Sequence, residues 1–193
     1  MPYVTFIGNE EQRLVKRLQE GDKTAAREFY ALYANSLAGV CMRYIADEED
    51  LKDVLQNAFS HIFSHIAEFE YRGSGSLQAW ATKVVVNESL KFLRTKEHFE
   101  ALQPNCEVVD ESDDDIPSLS DIPPNVIRQM LSRLPTGYRT VLNLYVLEGK
   151  SHQEIATLLG IGKDTSASQL HKAKRMLAKM IKKYNDENPH GDE

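Results

Sequence analysis

Cysteine is scarce in this chain. The two cysteines in 193 residues, Cys41 and Cys106, lie far apart with no Cys-x-x-Cys spacing. That excludes a disulfide framework and a redox pair of the usual kind. Cys41 falls on an apolar helical face and reads as a core residue. Long hydrophobic runs are missing too, so no stretch suits a membrane span. Met1 to Asn9 lacks the basic start and apolar core of a secretory signal. Together these absences predict a cytoplasmic protein with no stable membrane insertion. Strand alternation and Asn-Gly hairpin signals are also lacking, which predicts an all-α fold.

Several catalytic signatures are absent as well. Gly73-Ser74-Gly75 lacks the full glycine pattern and the lysine of a phosphate-binding loop. Neither a Ser-His-Asp arrangement nor a paired-carboxylate site is implied by spacing. His61 and His65 stand one helical turn apart with Glu68 following, a spacing that can bind metal. A metalloprotease helix would need Glu after the first His, and Ile62 stands there. No convincing third ligand accompanies the pair. The expectation is therefore no enzyme, no cofactor and no metal; a metal-dependent helical hydrolase built on His61, His65 and Glu68 is the outlying alternative.

A basic surplus is missing overall, since net charge is −6. The distribution is more telling than the total. Asn125 to Tyr184 carries 11 Lys and Arg against 3 Asp and Glu, while Glu97 to Pro124 carries 9 acidic residues and no Lys or Arg. The positive charge is thus gathered where it can neutralise phosphates.

What is present in that basic segment is a helix-turn-helix pattern. Ser151 and Glu154 form a capping-box signature ahead of Ile155, Ala156, Leu158 and Leu159. Gly160 sits where a helix end wants a left-handed residue. Asp164 suits the N-cap of a second helix running to Lys183. The apolar stripe of that helix is Leu170, Ala173, Leu177, Met180 or Ile181, and Tyr184. Its other face carries Ala167, Ser168, His171, Lys172 and Arg175. Small, polar and basic residues near the start of a second helix are what major-groove reading needs.

Helical periodicity also fills the first half. Helices are predicted over Glu10–Glu20, Thr24–Ile45, Glu48–Phe69 and Leu77–Thr95. A break at Arg72-Gly73-Ser74-Gly75-Ser76 precedes the last of these. Trp80, Lys83, Asn87, Lys91 and Arg94 then step by three and four along one face. Aromatic stacking with cationic tracking serves single-stranded DNA. The same pattern also fits a core tryptophan beneath a solvated basic face. Periodicity vanishes from Glu97 to Pro124, where acidic residues, prolines and serines mark a flexible linker. Short helices are then predicted over Asn125–Leu134 and from Pro135 to about Leu147. The organisation is two small helical domains, an N-terminal bundle over 1–96 and a C-terminal helix-turn-helix over 125–184. A linker over 97–124 joins them and an acidic tail covers 185–193.

Two motif sets carry a family resemblance. Asp53-Val54-Leu55-Gln56-Asn57-Ala58-Phe59, with Tyr71-Arg72-Gly73, Trp80, Asn87 and Arg94, resembles region two of the extracytoplasmic-function class of bacterial RNA polymerase sigma factors. Leu134-Pro135-Thr136-Gly137-Tyr138-Arg139, with Glu148-Gly149-Lys150-Ser151-His152-Gln153-Glu154-Ile155-Ala156, resembles region four.

The resemblance implies partners and sites. Core RNA polymerase would be met through its beta-prime clamp helices and its beta flap. The clamp helices would receive Asp50, Asp53, Gln56 and Asn57. Arg72, Ser74, Ser76, Trp80, Lys83 and Asn87 would melt and read the minus-ten element of promoter DNA as a single strand. Ser168, Gln169, His171, Lys172 and Arg175 would serve the minus-thirty-five element, with Ala167 offering contact only to a thymine methyl. Arg139, Lys150, Lys174 and Arg175 would contact phosphates. The acidic linker would run toward the RNA exit path as an RNA mimic, and an anti-sigma factor would regulate the whole. Three positions depart from the family pattern: Ala167 stands where relatives are often basic, Asp164 where glycine is common, and Ser166 where an apolar residue commonly packs. The alternative function is a free-standing helix-turn-helix regulator.

Overall fold

The structure, a computed structural model, describes residues 8–95 and 122–188. Residues 97–121 of the acidic linker, with Cys106, and residues 189–193 of the tail lie outside them. The chain divides into two compact units between Phe92 and Leu93. Among the described residues every regular element is helical.

The first unit is built from α1 (Gly8–Gln19), α2 (Lys23–Cys41), α3 (Glu48–His65) and α4 (Ser76–Thr95), with a 3-10 turn at Ile66–Glu68 after α3. Asp22 caps α2 by accepting from the Thr24 amide at 2.7 Å. Asp47 caps α3, accepting from Glu49 and Asp50 at 3.0 Å each. Glu48, Glu49 and Asp50 crowd the first turn of α3, where the helix dipole favours negative charge. The predicted third helix therefore ends earlier than Phe69. Gln19 helps close that end, donating through Nε2 to the carbonyls of Ile66 and Phe69.

The core of this unit follows the helical stripes. Leu14, Val15 and Leu18 of α1 are buried, as are Phe29, Tyr33, Leu37 and Cys41 of α2. Val54, Ala58 and Ile62 of α3 and Leu77, Ala81, Val85 and Leu90 of α4 complete it. Each large side chain here contributes about 1.5–3 kcal/mol by burial. Phe29 makes edge-on contacts with Phe59 and Phe63 at centroid distances of 6.4 and 5.7 Å. Cys41 is fully buried, 3.6 Å from the Ser89 hydroxyl, and burial pushes its thiol up.

The second unit holds α5 (Pro124–Ser132), α6 (Thr136–Val146), α7 (His152–Leu159) and α8 (Lys163–Glu187). Helix α8 packs against α5, α6 and α7 and organises the unit. Leu134, Val141, Leu144, Ile155, Leu159, Leu170, Ala173, Leu177 and Ile181 are buried between them. Pro135 precedes α6 as its N-cap residue, in extended conformation, instead of lying in its first turn. Helix α8 runs one turn beyond the predicted Lys183.

Candidate nucleic-acid and polymerase interfaces

The helix-turn-helix forms for local reasons. The Glu154 amide donates to the Ser151 hydroxyl at 3.3 Å, and the Ser151 amide donates to the Glu154 carboxylate at 2.8 Å. The Ser151 amide and hydroxyl, each 2.8 Å from the Glu154 carboxylate, hold that carboxyl below its ordinary range. Gly160 ends α7 with φ of 69°, in the left-handed region that favours glycine. The N-cap of α8 is Gly162, not Asp164, which lies in the first turn. The turn is shorter than predicted, so the carboxylate at 164 complements the helix dipole instead of accepting the capping bond.

Ser166 is fully buried on the first turns of α8. Its hydroxyl lies 3.0 Å from His152 Nδ1, a polar bond between α7 and α8. The His152 ring also stacks on Tyr145 of α6, centroids 4.8 Å apart. Burial, then the charges of Lys163 and Lys174, push the His152 imidazole down. A serine at this packing position is thus satisfied by the histidine opposite.

Burial sorts the predicted base-reading residues. Ala167 and Arg175 are exposed, and Ser168, His171, Lys172 and Lys174 are half-buried. Gln169 is only 3 % exposed and does not belong to the open face. It lies one turn after Ser166 and one before Ala173, within the buried stripe. Arg139 is likewise misplaced among the phosphate candidates. It is 3 % exposed, and its Nη1 donates to the Ser132 carbonyl at 3.0 Å, closing the end of α5. Burial lowers its pKa from the ordinary guanidinium value. Lys150 stays half-buried with its ammonium 3.8 Å from Glu154.

In the first unit, the loop before α4 is tied by its own backbone. The Arg72 amide donates to the Ser76 hydroxyl at 3.3 Å, and the Ser76 amide donates to the Gly73 carbonyl at 3.1 Å. Gly73 and Gly75 have φ of 119° and 85°, which a side chain would oppose. Ser74 is exposed, and so is Arg72, which pairs with Glu70 at 3.2 Å. Trp80 is half-buried, with Phe69 tilted against it at 5.0 Å, and retains an open portion. Lys83 and Asn87 are exposed on the following turns of α4.

Sequence reasoning missed Glu11. This carboxylate of α1 is 1 % exposed, and it accepts from the amides of Gly75 at 2.6 Å and Leu77 at 2.8 Å. A signal was available, since position 11 shares the apolar stripe of Leu14, Val15 and Leu18.

On α3, Asp53, Gln56 and Asn57 are exposed and Asp50 is half-buried, so the four share one outer face. The histidines nearby are engaged otherwise. His61 Nδ1 lies 3.0 Å from Glu88, and the His61 and His65 rings meet edge-on at 4.3 Å. Among the described residues no group of three or more His, Cys, Asp or Glu is placed to hold a metal ion. Nor is any helix among them long and apolar enough to cross a membrane.

Comparison with known proteins matches both units. The family model for sigma-70 region 2 matches residues 29–99, and that for sigma-70 region 4 matches residues 125–177. The chain is 29% identical over 182 residues to the ECF RNA polymerase sigma-E factor of Haemophilus influenzae, covering 89% of this chain and 95% of that one. It is 26% identical over 183 residues to the RNA polymerase sigma-H factor of Pseudomonas aeruginosa, covering 89% and 94%. With the sigma factor SigW of Bacillus subtilis it shares 23% identity over 184 residues, covering 89% and 96%.

Proposed function

We infer the mode of action of this chain from its membership of the extracytoplasmic-function class of sigma-70 factors. It binds core RNA polymerase and directs it to specific promoters. It is a dissociable initiation factor without catalytic chemistry of its own. It works where the polymerase works, in the bacterial cytoplasm.

The observation that carries the reading is the paired match, region 2 on the first unit and region 4 on the second, in that order. The geometry supports a division of labour. Asp50, Asp53, Gln56 and Asn57 offer acidic and amide groups to the clamp helices of the beta-prime subunit. An exposed acidic face suits protein better than phosphate. The loop Arg72–Ser76, with Trp80, Lys83 and Asn87, receives the minus-ten strand. Extruding a base costs a few kcal/mol of unstacking. Stacking on the open part of Trp80 and contacts from Lys83 and Asn87 offset that cost.

In the second unit, Ser168, His171 and Lys172 reach the base edges of the minus-thirty-five element, with Ala167 able to touch a thymine methyl. Arg175 and Lys174 track phosphates, which position the helix without specifying sequence. The beta flap of the polymerase would dock this unit, and an anti-sigma factor would regulate the chain by covering these faces.

Run-off transcription tests the reading. Purified core polymerase plus this chain should initiate at a cognate promoter where core alone does not. A free-standing helix-turn-helix regulator would bind the DNA without conferring initiation. No transcript from a validated promoter would refute the assignment.

A further inference from the structure

Glu11 needs a reason to be where it is. A carboxylate buried among Leu14, Val15 and Leu18 is costly unless its oxygens are satisfied. Both are satisfied, and by distant partners. The Gly75 and Leu77 amides that donate to it lie 64 and 66 positions away in sequence. Leu77 stands in the first turn of α4, where amides have no partner within the helix. A negative charge is also favoured there by the helix dipole. Gly75 precedes that turn at φ of 85°, inside the loop. The phenols of Tyr33 and Tyr71 are held above their ordinary range by burial first, and next by the charge of Glu11.

We propose that Glu11 is a positioning residue for promoter opening: from α1 it clamps the loop Arg72–Ser76 and the start of α4 in the shape that receives the melted strand. Four hydrogen bonds show two kinds of constraint on the loop. Two run within the loop, Arg72 to Ser76 and Ser76 to Gly73, and two run to Glu11. The first pair closes the turn. The second pair fixes the turn to the rest of the unit. A Cβ added at Gly73 or Gly75 would meet nothing within 4 Å, so neither glycine is wedged against a neighbour at that point. A loop with the same residues but no anchor keeps its chemistry and loses its aim. The proposal rests on the reading of this loop as the minus-ten surface.

The test uses holoenzyme assembled from core polymerase and the full chain. Glu11→Gln retains one acceptor, and Glu11→Leu retains none while suiting a buried position. Open-complex formation, followed by permanganate reactivity of the melted strand, should slow about tenfold or more in Glu11→Gln, the scale of a lost charge-assisted hydrogen bond. Glu11→Leu should be slower still. Affinity for core should be unchanged in both. Hydrogen exchange in the free full-length chain should speed at the Gly75 and Leu77 amides and stay constant in α3. Opening that falls only in proportion to core affinity would make Glu11 merely structural and overturn the proposal. A double variant, Arg72→Ala with Ser74→Ala, separates the two layers. If it slows opening while both Glu11 variants open normally, the clamp is wrong. If it opens normally, the reading of the loop itself fails.

Discussion

Arg139 and Arg175 carry the same charge in the same unit, yet their salt dependence should differ. Arg175 is exposed on α8, whereas Arg139 is 3 % exposed and donates to the Ser132 carbonyl. Only a side chain that reaches phosphate releases counterions on binding. Each such contact contributes about 0.9 to the slope of log affinity against log salt. Between roughly 50 and 200 mM salt, a fourfold change, one contact is therefore worth about a 3.5-fold change in affinity. Arg175→Ala should flatten the slope by about 0.9 and show its largest loss of affinity at low salt. Arg139→Met, which keeps the length and apolar stem of the side chain, should leave the slope unaltered. Its effect should appear as lower thermal stability of the second unit, because the end of α5 loses its donor. The assay is holoenzyme binding to a labelled promoter duplex, titrated at several salt concentrations below the temperature of opening. A reduced slope for Arg139→Met would place that guanidinium on DNA and refute the burial argument. An unaltered slope for Arg175→Ala would mean that the wrong face of α8 has been assigned to the groove.

Two further outcomes concern the bond between α7 and α8. Ser166→Ala removes the hydroxyl 3.0 Å from His152 Nδ1, a bond worth about 1 kcal/mol. A loss of that size lowers the melting temperature of a unit this small by about 4–8 °C. Far-UV circular dichroism should show the shift, while fluorescence of the single tryptophan, Trp80 of the first unit, should melt as in the wild type; a shift seen equally by both probes would refute a local effect. His152 supplies a pH dependence of definite sign. Its imidazole is pushed down in the folded chain from an unfolded value of 6.5. Between the two values the unfolded chain binds more protons, so stability falls as pH drops below 6.5. His152→Gln should flatten that dependence in thermal melts, and an unchanged slope would show that another group titrates there.

Local chemistry was the legible part of this protein. The Ser151–Glu154 capping box and the left-handed Gly160 each depend on a few adjacent residues, and both form as read. The helical stripes of α2, α3 and α8 were legible for the same reason. Two residues misplaced in sequence, Gln169 and Arg139, share a different property: they are polar groups on buried faces. Gln169 occupies the stripe of Leu170 and Ala173, but its amide looks like a reader of bases. Arg139 was read as a surface cation because burial of a guanidinium depends on the carbonyl of Ser132, which spacing does not reveal. Asp164 resembles an N-cap until Gly162 takes that place. Glu11 shows as a charge on the stripe of Leu14, Val15 and Leu18, but its partners do not, because the Gly75 and Leu77 amides lie 64 and 66 positions away.

These buried polar groups occupy comparable posts in the two units. Glu11 stands behind the loop proposed to take the single strand, and the pair His152–Ser166 stands behind the start of α8. Apolar stripes decide which helix faces meet, but they are non-directional and tolerate small rotations and slides. A hydrogen bond between buried partners does not, because a displaced donor is left unsatisfied at a cost of about 1–3 kcal/mol. Reading a base requires side chains held to a fraction of an ångström. The polar residues that break the hydrophobic pattern are therefore the ones expected to set how accurately each unit presents its DNA-facing side. Variants at Glu11 and Ser166 should damage promoter recognition more than equally destabilising truncations elsewhere in the same cores.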